Sequence, residues 1–130
     1  MKSWNKSLLV WGQKLKLYKK LIKEILRNEK VNGIINLRFI DDEAMRQLNK
    51  QFRGKDKSTD VLSFNMNEDG IVGDIAISRE TTRRNAKRFG VTYKQEIKRL
   101  VIHGTLHLCG YDHGSKMRGR EKVYQKIGSD

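Results

Sequence analysis

Whatever fold this chain adopts has to bury one face of a helix that carries two histidines, because the stretch from Thr92 to His113 permits little else. Thr92 can cap a helix, and Ile97, Leu100, Val101 and Leu108 then form an apolar stripe along it. His103 and His107 stand four residues apart on that helix, which puts their β-carbons about 6 Å apart on one face. Two imidazoles at that spacing can converge on one metal ion. Gly110 is placed to end the helix through a left-handed residue, and Tyr111 and Asp112 then carry the chain back so that His113 meets the other two. All 3 histidines of the chain fall in this stretch. Three neutral nitrogens around zinc leave a fourth position for water, the pattern of a catalytic site rather than a closed structural one.

A histidine pair at this spacing is ordinarily just a pair of helix residues. Confinement of all 3 to one stretch, with a glycine turn between the second and third, makes a metal site the stronger reading. Cys109 lies about 200° around the helix from His107, given 3.6 residues per turn, so it reads as a small buried residue and not a ligand. Asp112 keeps three readings open: an acceptor for an imidazole N–H, a turn residue or a fourth ligand.

At 130 residues the chain reads as one domain over 1–130, long enough for a proper core. A single cysteine excludes an internal disulfide framework and fits a reducing compartment. The longest early apolar run, Leu8 to Trp11, is too short for a membrane span or a signal-peptide core, so a cytoplasmic protein with no membrane partner is expected. Lys and Arg number 28 against 15 acids, a net charge of +13. The excess is gathered in residues 1–30, 83–99 and 114–126. Lysine-rich proteins from hot environments carry such faces too, but there Glu rises with Lys, whereas here the acids lag. A polyanionic partner such as nucleic acid is the better reading.

Trp4, Leu8, Trp11, Leu15, Tyr18, Ile22 and Ile25 recur at helical spacing opposite lysines, with Gly12 a point where the helix could break. These aromatics read as core. Ile34 to Ile40 reads as a strand, and Asp41-Asp42-Glu43 as helix-start acids, not ligands, for a helix with Met45 and Leu48 on its apolar side. Phe52 to Asp60 reads as a polar connection, Val61–Met66 and Ile71–Ser78 as antiparallel strands, and Ser78 to about Phe89 as a basic helix. Asp60 and Asp74 read as strand-end or turn residues satisfying backbone donors. Met117 through Ile127 reads as a last short helix. The fold class is α/β in the α+β arrangement: a small mixed β-sheet packed against several helices, with the metal site on a helix and the loop that follows it.

His103 to His113 resembles the HGxLHLxGYDH signature of the YbeY family of bacterial rRNA maturation factors. Leu48-Asn49 with Phe52 to Asp56 is similar to that family's LNxxyRgkD segment, and Ser58 to Phe64 to its pTDVLSFp segment. Gly73-Asp74-Ile75 with Ile77-Ser78 matches a GDIxIS element, and Met117 with Glu121 fits the tail, so the resemblance covers about residues 34 to 127 in order. The histidine signature is highly specific and the others persuade jointly. This chain departs from the pattern in a shorter amino-terminal part without a clear first strand, a brief loop between Phe64 and Gly73, and Ser58 where proline is frequent.

The resemblance implies a single-strand-specific endoribonuclease with one zinc ion per chain on His103, His107 and His113. It further implies Arg53 stabilising the phosphodiester transition state and Lys55 as a second phosphate contact, although spacing alone makes both mere loop charges. The implied work is rRNA maturation and ribosome quality control. Partners would be the rRNA precursor and small ribosomal subunit, with ribosomal proteins or assembly GTPases. Two alternatives stay open. The spacing is also similar to the HExxHxxGxxH element of metzincin peptidases, but their general-base Glu is replaced here by Gly104. The other is a non-catalytic RNA-binding ribosome assembly factor with a structural metal.

Overall fold

The computed structural model describes the backbone of residues 3–127 and the side chains of residues 15–127 other than Asn67. Within it the order is α1 (Ser3–Asn28), β1 (Ile34–Ile40), α2 (Asp42–Arg53), β2 (Val61–Glu68), β3 (Ile71–Ser78), α3 (Arg79–Phe89), α4 (Tyr93–Leu108) and α5 (Ser115–Gln125). Helix α1 runs through Gly12 without a break. The side chains of Trp4, Leu8 and Trp11 lie outside the described residues, while Ile22 and Ile25 are buried as their spacing requires.

The sheet is mixed, in the order β1-β3-β2, with β1 parallel and β2 antiparallel to β3. Alternation along β3 splits the interior in two. Ile75 and Ile77 face a large core shared with Ile25, Leu100, Val101 and Leu106, whereas Ala76 faces a smaller cluster with Met45 and Leu62. Helices α1 and α4 therefore cover one face and α2 the other.

Local chemistry explains the boundaries. Asp41 caps α2 by accepting from the Ala44 N–H at 2.8 Å. Thr92 and Gln95 form a reciprocal capping box at the start of α4, at 3.0 and 2.8 Å. Helix α2 extends further than its polar composition predicts, taking in Phe52 and Arg53. Phe52 packs against Phe64 with ring centroids 4.9 Å apart, and a basic residue in a last turn is favoured by the helix dipole.

Asp42 does more than begin a helix. It accepts hydrogen bonds from the hydroxyls of Ser58 (3.0 Å), Ser78 (2.6 Å) and Thr81 (2.6 Å), and pairs with Arg84 at 2.8 Å. Burial would raise this carboxyl, but hydrogen bonds from Ser78, Thr81, Arg84 and Ser58 outweigh it and hold the group far below the ordinary carboxylate range. Ser58, where the resemblance leads one to expect proline, thus fixes the approach to β2 with its hydroxyl.

Helix α4 sits unusually close to the sheet at two glycines. A β-carbon at Gly104 would lie 3.0 Å from Ser63 Oγ and 3.1 Å from Ile75 Cδ1; one at Gly73 would lie 2.3 Å from the Phe64 carbonyl oxygen and 2.9 Å from Leu108 Cδ2. Gly73→Ala should therefore push β2 away from β3. Forcing atoms into packed interior of this kind costs about 1–3 kcal/mol. The check is a lowered urea midpoint at unchanged slope; a midpoint equal to wild type would contradict this account of the contact.

Candidate metal centre

Helix α4 delivers two histidines rigidly, since their neighbours Ile102, Thr105 and Leu106 are all fully buried. The helix then stops in a Schellman motif. The Tyr111 N–H donates to the Leu106 carbonyl at 3.1 Å and the Gly110 N–H to the His107 carbonyl at 3.0 Å, with Gly110 at a φ of 101°. Reversal at this point returns His113 to the face it left. The ring centroids of His103, His107 and His113 are separated by 5.4, 5.4 and 4.9 Å, and one ligand nitrogen from each lies within 4.8 Å of the others. Among the described residues no other histidine, cysteine or carboxylate joins this group.

The turn that carries His113 is tied down from a distance. Tyr111 donates its hydroxyl to Glu29 at 2.7 Å, and Glu29 also accepts from Arg120 (3.0 and 2.7 Å) and the Tyr124 hydroxyl. Burial pushes the Glu29 carboxyl upward, but the bonds from Tyr124, Tyr111 and Arg120 prevail and hold it below its ordinary value. One carboxylate thus joins the end of α1 to the histidine turn and to α5.

The electrostatics of the site favour the unprotonated, ligating imidazole. Burial first, then the neighbouring His103 and His113, lower the pKa of His107 from its ordinary value, so its neutral, ligating form persists to lower pH. His103 Nδ1 lies 3.0 Å from Glu121 Oε2 on α5. A carboxylate accepts, so Nδ1 must carry the proton, which leaves the Nε2 lone pair for a cation. The residues present therefore fit a metal ion: three convergent imidazoles, one with its tautomer set. Glu121→Ala should weaken zinc affinity by about 10- to 100-fold, the usual cost of losing a ligand's hydrogen-bond partner. Competition against a chromophoric chelator measures this, and undiminished affinity would show that Glu121 does not orient His103.

The histidines open onto a cleft of about 480 Å³ whose other walls include Arg53, Thr59, Asp60, the first residues of β2 and Leu108. Arg53 and the three histidines thus come together across some fifty residues of chain. Lys55 is not among the residues lining the cleft. Asp60 is, and its Oδ1 accepts from the Val61 N–H at 2.8 Å, the strand-end role expected of it. Asp74 differs from expectation: it accepts from the Asn36 side chain at 3.0 Å across the β1–β3 pair rather than from backbone. Asp112 stays outside the ligand group, and its charge opposes, without overcoming, the lowering of the His107 pKa. Cys109 also stays outside, its thiol pushed by burial up to about 11. Glu121 and Glu29 are the residues that sequence reasoning did not assign. Glu121 stood out only as part of a motif, and Glu29 carries no local signal at all.

An α+β fold with a trio of histidines on a helix and its following turn, placed to bind a metal and sharing a cleft with Arg53, defines the class. A family model described as Endoribonuclease YbeY matches residues 5–127, and the chain belongs to that family. Proteins named Endoribonuclease YbeY are similar to it. That of Aquifex aeolicus is 43% identical over 100 residues, covering 74% of this chain and 66% of the relative. That of Desulforamulus reducens is 37% identical over 132 residues, covering 88% and 86%. A Thermotoga maritima protein solved in solution superposes with a TM-score of 0.69 at 33% identity, covering 88% of this chain and 81% of that one.

Proposed function

We propose that His103, His107 and His113 hold one zinc ion per chain and that the cleft cleaves RNA phosphodiester bonds during rRNA maturation and ribosome quality control. The chain is an endoribonuclease of the YbeY family, a hydrolytic nuclease. The observation that carries the site assignment is the facing of the three histidines by Arg53 across one cleft. When bound, the cation supplies Lewis acidity, acidifying water and polarising a phosphoryl oxygen. The chain's own residues do the rest. Arg53 presents paired N–H donors to a non-bridging phosphate oxygen as negative charge builds there. Glu121 holds the His103 ring, and Asp42 and Ser58 fix the segment leading to β2. Lys55 stands two residues beyond Arg53, after Gly54, and supplies charge that attracts the RNA backbone. The net charge of +13 favours that encounter. We take residues 1–130 as one hydrolase domain at work in the cytoplasm on the rRNA precursor and small ribosomal subunit, alongside ribosomal proteins or assembly GTPases. No helix among the described residues is long and apolar enough to cross a membrane.

A peptidase of the metzincin kind is disfavoured because Gly104 has no side chain to act as general base, and even a β-carbon there would press on Ser63 and Ile75 at 3.0 and 3.1 Å. The test is cleavage of rRNA precursor by highly purified protein, compared with His103→Ala and with chelator-treated enzyme. Cleavage that survives both would refute the centre. Protons compete with the metal for imidazole, and the lowered His107 pKa moves that competition to more acid pH. Activity should therefore hold at neutral pH and collapse below about pH 6; a flat profile across that range would contradict histidine ligation.

A further inference from the structure

Directly before the cleft-lining Arg53 in the chain stands a largely exposed aromatic side chain. Phe52 is 58% exposed; Phe89 at 55% is another exposed aromatic, but it does not adjoin a residue that lines the histidine cleft. Phe52 is the penultimate residue of α2. Its ring is not loose. Phe64 of β2 supports it at a centroid separation of 4.9 Å and an interplanar angle of 58°, and Phe64 itself packs on Met45, Leu62 and Ala76.

We propose that Phe52 is the stacking platform for an unpaired nucleobase of the RNA whose phosphate meets Arg53; the inference rests on the RNA-cleaving reading of the cleft. An arginine that reads phosphate, followed immediately back along the chain by a braced, exposed ring, reproduces the alternation of phosphate and base in a single strand. Aromatic rings in basic grooves bind single strands through the π-face that every base offers. The surroundings fit a polyanion: Lys50, Arg53, Lys55 and Lys57 lie within eight residues, with Asp56 the acid among them. A base already paired in a duplex has no free face to offer, so this ring is one source of the single-strand preference that the family resemblance implies. Selectivity arises without base-specific hydrogen bonds.

The experiment is fluorescence anisotropy with a short labelled 2′-O-methyl oligoribonucleotide, in chelator to prevent cleavage. The same strand made abasic and the same sequence as a duplex serve as comparisons. Wild type should prefer the base-bearing single strand to both. Phe52→Ala and Phe52→Leu should each weaken that binding about ten-fold, the effect of losing one stacked base, and Phe52→Trp should restore it. Zinc content and urea midpoint should stay at wild-type values in the leucine variant. Wild-type affinity in Phe52→Leu would make Phe52 merely an apolar cover for Phe64 or an anchor for a protein, and would overturn the proposal. So would equal binding of abasic and base-bearing strands by an enzyme that still cleaves rRNA precursor, which leaves the nuclease reading intact. An enzyme that neither binds nor cleaves any RNA would overturn both.

Discussion

Replacing His107 with alanine is expected to remove stoichiometric zinc from the protein and abolish RNA cleavage with it. The expectation rests on position. His107 lies in the last turn of α4 between the other two candidate ligands, its ring centroid 5.4 Å from His103 and 4.9 Å from His113. Removing it leaves two imidazoles that do not enclose a cation, and a two-ligand site loses the chelation that holds zinc. The backbone should tolerate the change, because alanine is the best helix former and the side chain is not part of the buried stripe. Elemental analysis after dialysis gives the result directly, with far-ultraviolet dichroism confirming the helix. One-to-one zinc retained in this variant would end the three-histidine assignment.

The second large effect is expected at Arg53→Glu. Cleavage of rRNA precursor should fall by about 10²–10³, the usual cost of removing a donor aimed at developing charge, and reversing the charge adds repulsion of the phosphate. Zinc content should not change, because Arg53 enters the cleft from α2 and lies outside the ligand group. Melting should change only slightly, since the residue is exposed at a helix terminus and an acid there opposes the helix dipole by about 0.3–1 kcal/mol. Lys55→Glu gives a graded contrast, because that residue does not line the cleft; its effect should be smaller and should diminish as salt rises. Full activity in Arg53→Glu would take Arg53 out of the reaction.

Much of this was legible in the sequence, for identifiable reasons. The helix with His103 and His107 is local chemistry: a capping box at Thr92 and Gln95, an apolar stripe at spacing 3.6, and a glycine to end it. The strands announce themselves by branched residues and by the short turn at Asp69 and Gly70. The elements that escaped depend on partners distant in the chain. Helix α2 reaches Arg53 because Phe52 finds Phe64, twelve residues on. Glu121 orients His103 because α5 folds back on α4, and nothing in Arg118 to Lys122 says where that helix lies. Asp74 reads as a turn residue until the parallel register of β1 and β3 brings Asn36 beside it. The role of Ser58 depends on Asp42, which is sixteen residues earlier.

The carboxylate of Glu29 links the durability of the centre to events at the far end of α1. Two tyrosines and an arginine converge on it, and one of those tyrosines is two residues from His113. If the final turn of α1 frays, the turn that leads to His113, the third candidate ligand, loses its anchor at the same moment as α5, the helix that steadies His103. Metal retention and docking of the amino-terminal helix then become a single cooperative event, so a ligand that grips α1 could govern the chemistry without ever entering the cleft.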